Sequence, residues 1–226
     1  MPLSPTAAAE LAARCARPGD ALVRVDLIEP VPRAYRPGSI RRAGGAPIGV
    51  DEQTRPRWHD GYMAHLITVD LDDVPHLRAV ADLAGVRALA LFISSAADNE
   101  AFQAGTPQTA LVRLTDADLA KGEWTGPAVD DPPARAYRLH PLDVPARAFY
   151  DVFDPTFDED AVAPDLDDLH DLLMSADRIG GPVLHWSGDT YTTDFLWQFS
   201  EAVVDVNLGD AGTMYVHAAT AYWNCH

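Results

Sequence analysis

Eight histidines, two cysteines and thirty-four acidic residues could in principle support metal, nucleophilic or acid–base chemistry. Their spacing decides which of these is open. His59 and His65 are six residues apart, and His217 lies nine before His226, next to Cys225. A His-Glu-x-x-His zinc site needs two imidazoles one helical turn apart, and structural sites use Cys-x-x-Cys pairs. Neither pattern occurs, so no metal and no cofactor are expected unless distant strands bring ligands together. Nucleophilic catalysis fares no better. There is no Gly-x-Ser-x-Gly segment, and Ser187 in Trp186-Ser187-Gly188-Asp189 reads as a turn residue. Cys225, His217 and Asp210 supply the types of a Cys-His-Asp set, but a buried cysteine on a terminal strand is usually inert packing. Arg41-Arg42-Ala43-Gly44-Gly45 lacks the Lys-Ser/Thr and following helix of a phosphate loop.

Two sets of residues remain as binding candidates. Asp210, in Asn207-Leu208-Gly209-Asp210-Ala211-Gly212, is an Asx-turn residue between two strands or, functionally, a carboxylate able to receive an amine or guanidinium. With Trp58, Trp197, Gln198 and His217 it forms the candidate small-molecule set, although tryptophans are more often core fillers than a binding cage. The second set is acidic. Residues 130–189 hold fourteen acids against four arginines, −10 of a net −17, and Asp151 to Asp171 is the densest stretch. Asp158, Glu159, Asp160, Asp165, Asp167 and Asp168 are therefore the partner-surface candidates: a solvated helix face, or a surface steering a basic protein to it.

A net charge of −17 argues against binding nucleic acid through phosphate neutralisation and against docking on an anionic membrane. No apolar run approaches the roughly 20 residues of a bilayer span. The N-terminus lacks a basic region and an uninterrupted apolar core, so no secretory signal is expected. Two cysteines at opposite ends favour a reducing cytoplasm. One lysine beside sixteen arginines suggests high-GC bacterial codon usage.

The elements that would position these residues follow from local pattern. Ser4 caps a helix that begins at Pro5 and stops at Pro18-Gly19. Alternation predicts strands over 21–28 and 63–71, Pro30 opening an irregular stretch between them, with further strands over 86–94, 108–114 and, as a short edge strand, 136–142. Asp73 caps a predicted helix from Val74 to Leu83, and Thr115 caps a turn. Leu166, Leu169, Leu172 and Leu173 predict an amphipathic helix over 165–175. The apolar segments 182–186, 195–206 and 213–222 read as β, since β-branched and aromatic residues are frequent there. Strands and helices do not alternate regularly, so the expected class is α+β: mixed, largely antiparallel sheets with a few short helices.

Arg42-Ala43-Gly44-Gly45-Ala46-Pro47 is echoed by Arg178-Ile179-Gly180-Gly181-Pro182, and each is followed by an apolar strand and then a Gly-led one. The expected architecture is thus two duplicated halves, about 40–126 and 136–226, after an N-terminal extension over 1–39. On these motifs the chain resembles the YwqG-like proteins, a bacterial family first catalogued as a domain of unknown function. The resembling segments are Gly44-Gly45-Ala46-Pro47 with Trp58, His65 to Pro75, Arg178 to Gly181, Leu196-Trp197-Gln198, Gly209 to Val216 and Trp223-Asn224-Cys225-His226. The resemblance implies an α+β fold over 40–226 with internal duplication, and no settled chemistry.

The leading expectation is a non-catalytic binding protein with an acidic partner surface, suited to an immunity-like role toward a basic protein. The alternative is a small-molecule-binding or hydrolytic enzyme with its site between the two repeats.

Overall fold

The computed structural model describes residues 4–31, 36–79, 83–94, 108–150, 152, 158, 161–184, 194–206, 208, 212–219 and 221–224. Helix α1, Pro5–Cys15, starts where Ser4 accepts a hydrogen bond from the Ala7 N–H, and Pro5 costs nothing in a first turn whose N–H groups have no intrahelical partner. Its apolar stripe, Ala8, Leu11, Ala12 and Cys15, is buried. Strand β1, Leu22–Val31, runs three residues further than its alternation suggests. It passes through Pro30 because its second neighbour covers only Asp26 and Leu27. Beyond that point one side of β1 has no partner strand among the described residues, and a missing N–H is tolerated there.

Strands β2 (Arg42–Ala43), β5 (Ala64–Asp70), β6 (Ala88–Ile93) and β7 (Thr109–Leu114) form a four-stranded antiparallel sheet in that order. Between β2 and β5, β3 (Arg57–Trp58) and β4 (Gly61–Tyr62) make a separate two-stranded ribbon. Strands β8 (Ala136–Pro145), β9 (Arg178–Ile179), β10 (Phe195–Ser200), β11 (Thr213–His217) and β12 (Ala221–Asn224) join β1 in a six-stranded sheet ordered β12-β11-β10-β9-β1-β8. The expected edge strand β8 is at the edge but ten residues long. The helix expected from Val74 is a 3-10 helix over Pro75–Ala79. A short helix α2, Asp116–Leu119, carries a reciprocal capping box between Thr115 and Asp118. The 195–206 segment changes type at Ser200, whose hydroxyl caps a turn of helix α4, Glu201–Val204. Of the apolar segment 182–186, residues 182–184 are not strand and the rest lies outside the described residues. The class is accordingly mixed α+β with mostly antiparallel sheets. No helix among the described residues is long and apolar enough to cross a membrane.

Two sheets with apolar faces must bury them, and here both contribute to the largest core. Val69, Leu89 and Leu91 come from the four-stranded sheet; Tyr137, Trp197, Phe199, Met214 and Val216 come from the six-stranded sheet. The far face of the six-stranded sheet is covered by α1 and by α3, Pro164–Ser175, over Val25, Leu27, Leu142 and Val144. The far face of the four-stranded sheet carries Met63, Phe92 and Leu114.

Local geometry recurs at matching places in the two sheets. In each, an extra residue bulges the strand after the Gly-Gly turn: Leu66 between His65 and Ile67, and Leu196 between Phe195 and Trp197. Both bulged residues and both successors enter the central core, because the insertion breaks the two-residue alternation. The glycine N–H after each short strand donates to the bulged residue, Gly44 to Leu66 O and Gly180 to Leu196 O. Gly44, Gly45, Gly180 and Gly181 all have φ between +63° and +80°. A Cβ on Gly44 would stand 2.6 Å from the Pro133 carbonyl oxygen, so the turn requires glycine there on two counts.

Candidate functional site

Helix α3 turns the acidic composition into a surface. At 3.6 residues per turn, Leu166, Leu169, His170, Leu173 and Met174 fall on one side and are buried, while Asp165, Asp167, Asp168 and Asp171 occupy the opposite, exposed arc. The helix contains no lysine or arginine. Arg14 of α1 reaches Asp165 at 3.3 Å, with both side chains about half exposed, and the Tyr150 hydroxyl donates to Asp167 at 2.8 Å. Among the described residues, Asp168 and Asp171 have no cation within ion-pair distance. The first-turn aspartates Asp165 and Asp167 also face the positive end of the helix dipole, which favours them there. Asp158 is exposed; Glu159 and Asp160 lie outside the described residues.

The described small-molecule candidates are spread over both sheets. Trp58 is half-buried on the outer face of the four-stranded sheet, whereas Trp197 is fully buried in the central core. Gln198, one residue on, points to the other face of β10. Its amide donates to Met174 O at 2.8 Å and Ala176 O at 3.0 Å, satisfying carbonyls at the C-terminus of α3. His217 is buried on β11, its Nδ1 3.4 Å from an Asp194 oxygen and its ring stacked on Tyr222. Asp210 lies outside the described residues, as do Ser187, Cys225 and His226. Gln198 thus has a structural task, and Trp58 is separated by the sheet core from His217. Among the described residues no group of three His, Cys, Asp or Glu side chains is arranged to hold a metal ion.

What local patterning missed is a set of buried arginines. Arg178, Gln198, Tyr215 and Tyr222 are successive register partners across β9 to β12. Arg178 is fully buried, and among the described residues no carboxylate pairs with it. Its guanidinium donates to Leu173 O at 2.8 Å, Gly180 O at 2.6 Å and Pro182 O at 2.8 Å, and lies over the rings of Phe149 and Phe195. Burial pushes it down to about 9, which leaves it charged at neutral pH. Its counterpart Arg42 donates to Ser39 O and Ala46 O, and is 3.0 Å from Glu123. Arg55 donates to Met63 O and pairs with Asp131 at 2.6 Å, while Asp131 also accepts from the His65 N–H. The recurrence of Arg-x-Gly-Gly was the sequence signal available for the first two. For Arg55 and Asp131, 76 residues apart, there was none.

His65 closes this cluster. Its Nδ1 is 3.1 Å from both Gly44 O and Gly45 O, so it is the protonated nitrogen, and Nε2 accepts from the Thr68 hydroxyl at 2.8 Å. Burial pushes its pKa down from 6.5 to about 4. The unfolded chain takes a proton near pH 6.5 that the folded ring refuses. The stability present above pH 6.5 is therefore lost as the pH falls toward 4, about 3 kcal/mol for this group. Burial moves His76 and His217 in the same direction, while the raised carboxyls of Asp26 and Asp131 oppose it. Urea midpoints measured from pH 7 to pH 4.5 are expected to fall more steeply for the wild type than for His65→Gln. Equal slopes would remove His65 as the acid-sensitive group.

A groove of about 690 Å³ opens where the end of β1 and the start of β8 meet the loop before β2 and the turn after β5. It is lined by Val31, Arg36, Ile40, Arg41, Asp70, Asp73, Tyr137 and Arg138, among others. None of the described candidate residues read from the sequence lies in it. No protein-family model, curated protein or solved structure matches this chain.

Proposed function

We propose that this protein is a binding protein whose α3 face docks a basic partner protein. The observation that carries the reading is the arc of Asp165, Asp167, Asp168 and Asp171 on a helix without lysine or arginine, answered among the described residues by Arg14 at one end only. Uncompensated carboxylates on a rigid helix backed by a packed sheet cost little to present and raise the encounter rate with a cation-rich surface. An immunity-like role, in which the acidic face covers a basic protein, fits this chemistry. The cytoplasm suits the buried free thiol of Cys15.

The same reading takes the chain as a YwqG-like protein of two duplicated halves. It draws support from the matched order β2-β5-β6-β7 and β9-β10-β11-β12, the bulge at the same step of β5 and β10, and the buried arginine two residues before each Gly-Gly pair.

The test compares the full chain with Asp168→Asn/Asp171→Asn, two changes away from the helix start, as bait in bacterial extract, followed by mass spectrometry. The expected result is a basic protein retained at low salt, released at high salt, and held about tenfold more weakly by the variant. A partner held equally by both baits, or no basic partner at all, refutes the reading.

A further inference from the structure

We infer that the groove between β1, β8 and the loop leading into β2 binds a small organic oxyanion, a phosphate or carboxylate carried on an apolar body. Three arginines line it, Arg36, Arg41 and Arg138, in a chain of net charge −17. The two carboxylates in the lining are already answered. Asp73 pairs with Arg41 at 2.5 Å, and Asp70 pairs with Arg87. Arg36 and Arg138 are exposed, and their side chains have no ion-pair or hydrogen-bond partner among the described residues. Even Glu29, the register partner of Arg138 on β1, pairs with His140 at 2.7 Å instead. Among the described residues the groove therefore carries two uncompensated positive charges, and guanidinium forks match the paired oxygens of phosphate and carboxylate.

The rest of the lining selects what the oxyanion is attached to. Val31, Ile40 and Ala136 are half-buried apolar walls. Tyr137 is buried, its hydroxyl committed to Thr68 O at 2.8 Å, which leaves it as a fixed wall. A volume of about 690 Å³ lies within the range that takes small organic ligands. The site is distinct from the acidic helix face, because α3 packs near the 3-10 turn Ala146–Ala148 that follows β8, whereas the groove lies at the start of β8.

Phenyl phosphate and benzoate are the probes, with benzyl alcohol as the neutral control, each titrated into the full-length protein and followed by amide NMR shifts. The expected result is saturable shifts at Ser39, Ile40 and Ala136 to Arg138 with one or both anions, weaker at high salt. Affinity should fall about tenfold in Arg36→Gln/Arg138→Gln and stay unchanged in Arg17→Gln, an exposed arginine elsewhere. The stronger anion identifies the source of the oxyanion. Neither anion shifting these amides, the double variant binding as tightly as wild type, or benzyl alcohol matching the anions would each overturn the inference. Asp168→Asn/Asp171→Asn should leave probe binding intact, so failure of the acidic-face reading is visible separately.

Discussion

Arg178→Leu is expected to unfold far more readily than wild type, losing about 3–5 kcal/mol of unfolding free energy. Two effects compete. Removing a buried charge relieves a desolvation cost, and replacing a whole buried ion pair by apolar side chains is often neutral for that reason. Here the partners are the main-chain carbonyls of Leu173, Gly180 and Pro182, which no side-chain substitution can remove. Gly180 O would be left as a buried acceptor without a donor, at about 1–3 kcal/mol; Leu173 O would keep only the longer bond from the Gln198 amide at 3.4 Å, and the partly buried Pro182 O would lose its Arg178 donor as well. The loss therefore dominates. Arg178→Lys keeps the charge but not the planar fork, and is expected to recover less than half of it. Chemical denaturation followed by circular dichroism measures both. A leucine variant within about 1 kcal/mol of wild type would show that water or another group takes over the carbonyls.

The second large effect is expected at the Arg55–Asp131 pair. Asp131→Ala leaves a guanidinium with a fully buried side chain that, among the described residues, faces Met63 O and the rings of Trp124 and Phe92, and also removes the acceptor of the His65 N–H. Breaking a buried pair from one side costs about 3–5 kcal/mol. The double variant Arg55→Met/Asp131→Ala should be less destabilised than the sum of its parts by at least about 1 kcal/mol, because the second change removes the stranded charge. Additive losses in that cycle would mean the two groups act independently despite their 2.6 Å contact.

Many boundaries were legible because their causes are local. Ser4 and Thr115 cap helices through bonds to N–H groups three residues on, and the 3.6-residue spacing of leucines in 166–173 orients α3. Partial alternation marked β5, a continuous apolar run marked β6, and β7 was expected as a further strand, each to within a residue or two. The errors share a cause as well. Pro30 looked like a strand end, but whether a missing N–H matters depends on which strand lies alongside. Residues 201–204 looked extended by composition, yet the Ser200 cap and the burial of Val203 and Val204 make them helical. Gln198, a binding candidate in the sequence, donates to the end of a helix more than twenty residues away, a contact no local pattern announces.

The acidic character, the α+β class and the exposed aspartates of α3 follow from composition and short-range periodicity, which the chain carries in any arrangement. Where the arginines go does not. A buried guanidinium is tolerable only where several carbonyls or a carboxylate converge on it, and that convergence is a property of strands paired across the sheet. Arg178 finds its acceptors in a helix end and a glycine turn, Arg55 finds Asp131 across 76 residues, and Arg36 and Arg138 meet at one groove from opposite ends of a hundred-residue separation. Net charge marked one face of this protein in advance; the opposite charge, gathered in the groove, exists only once the sheets have closed.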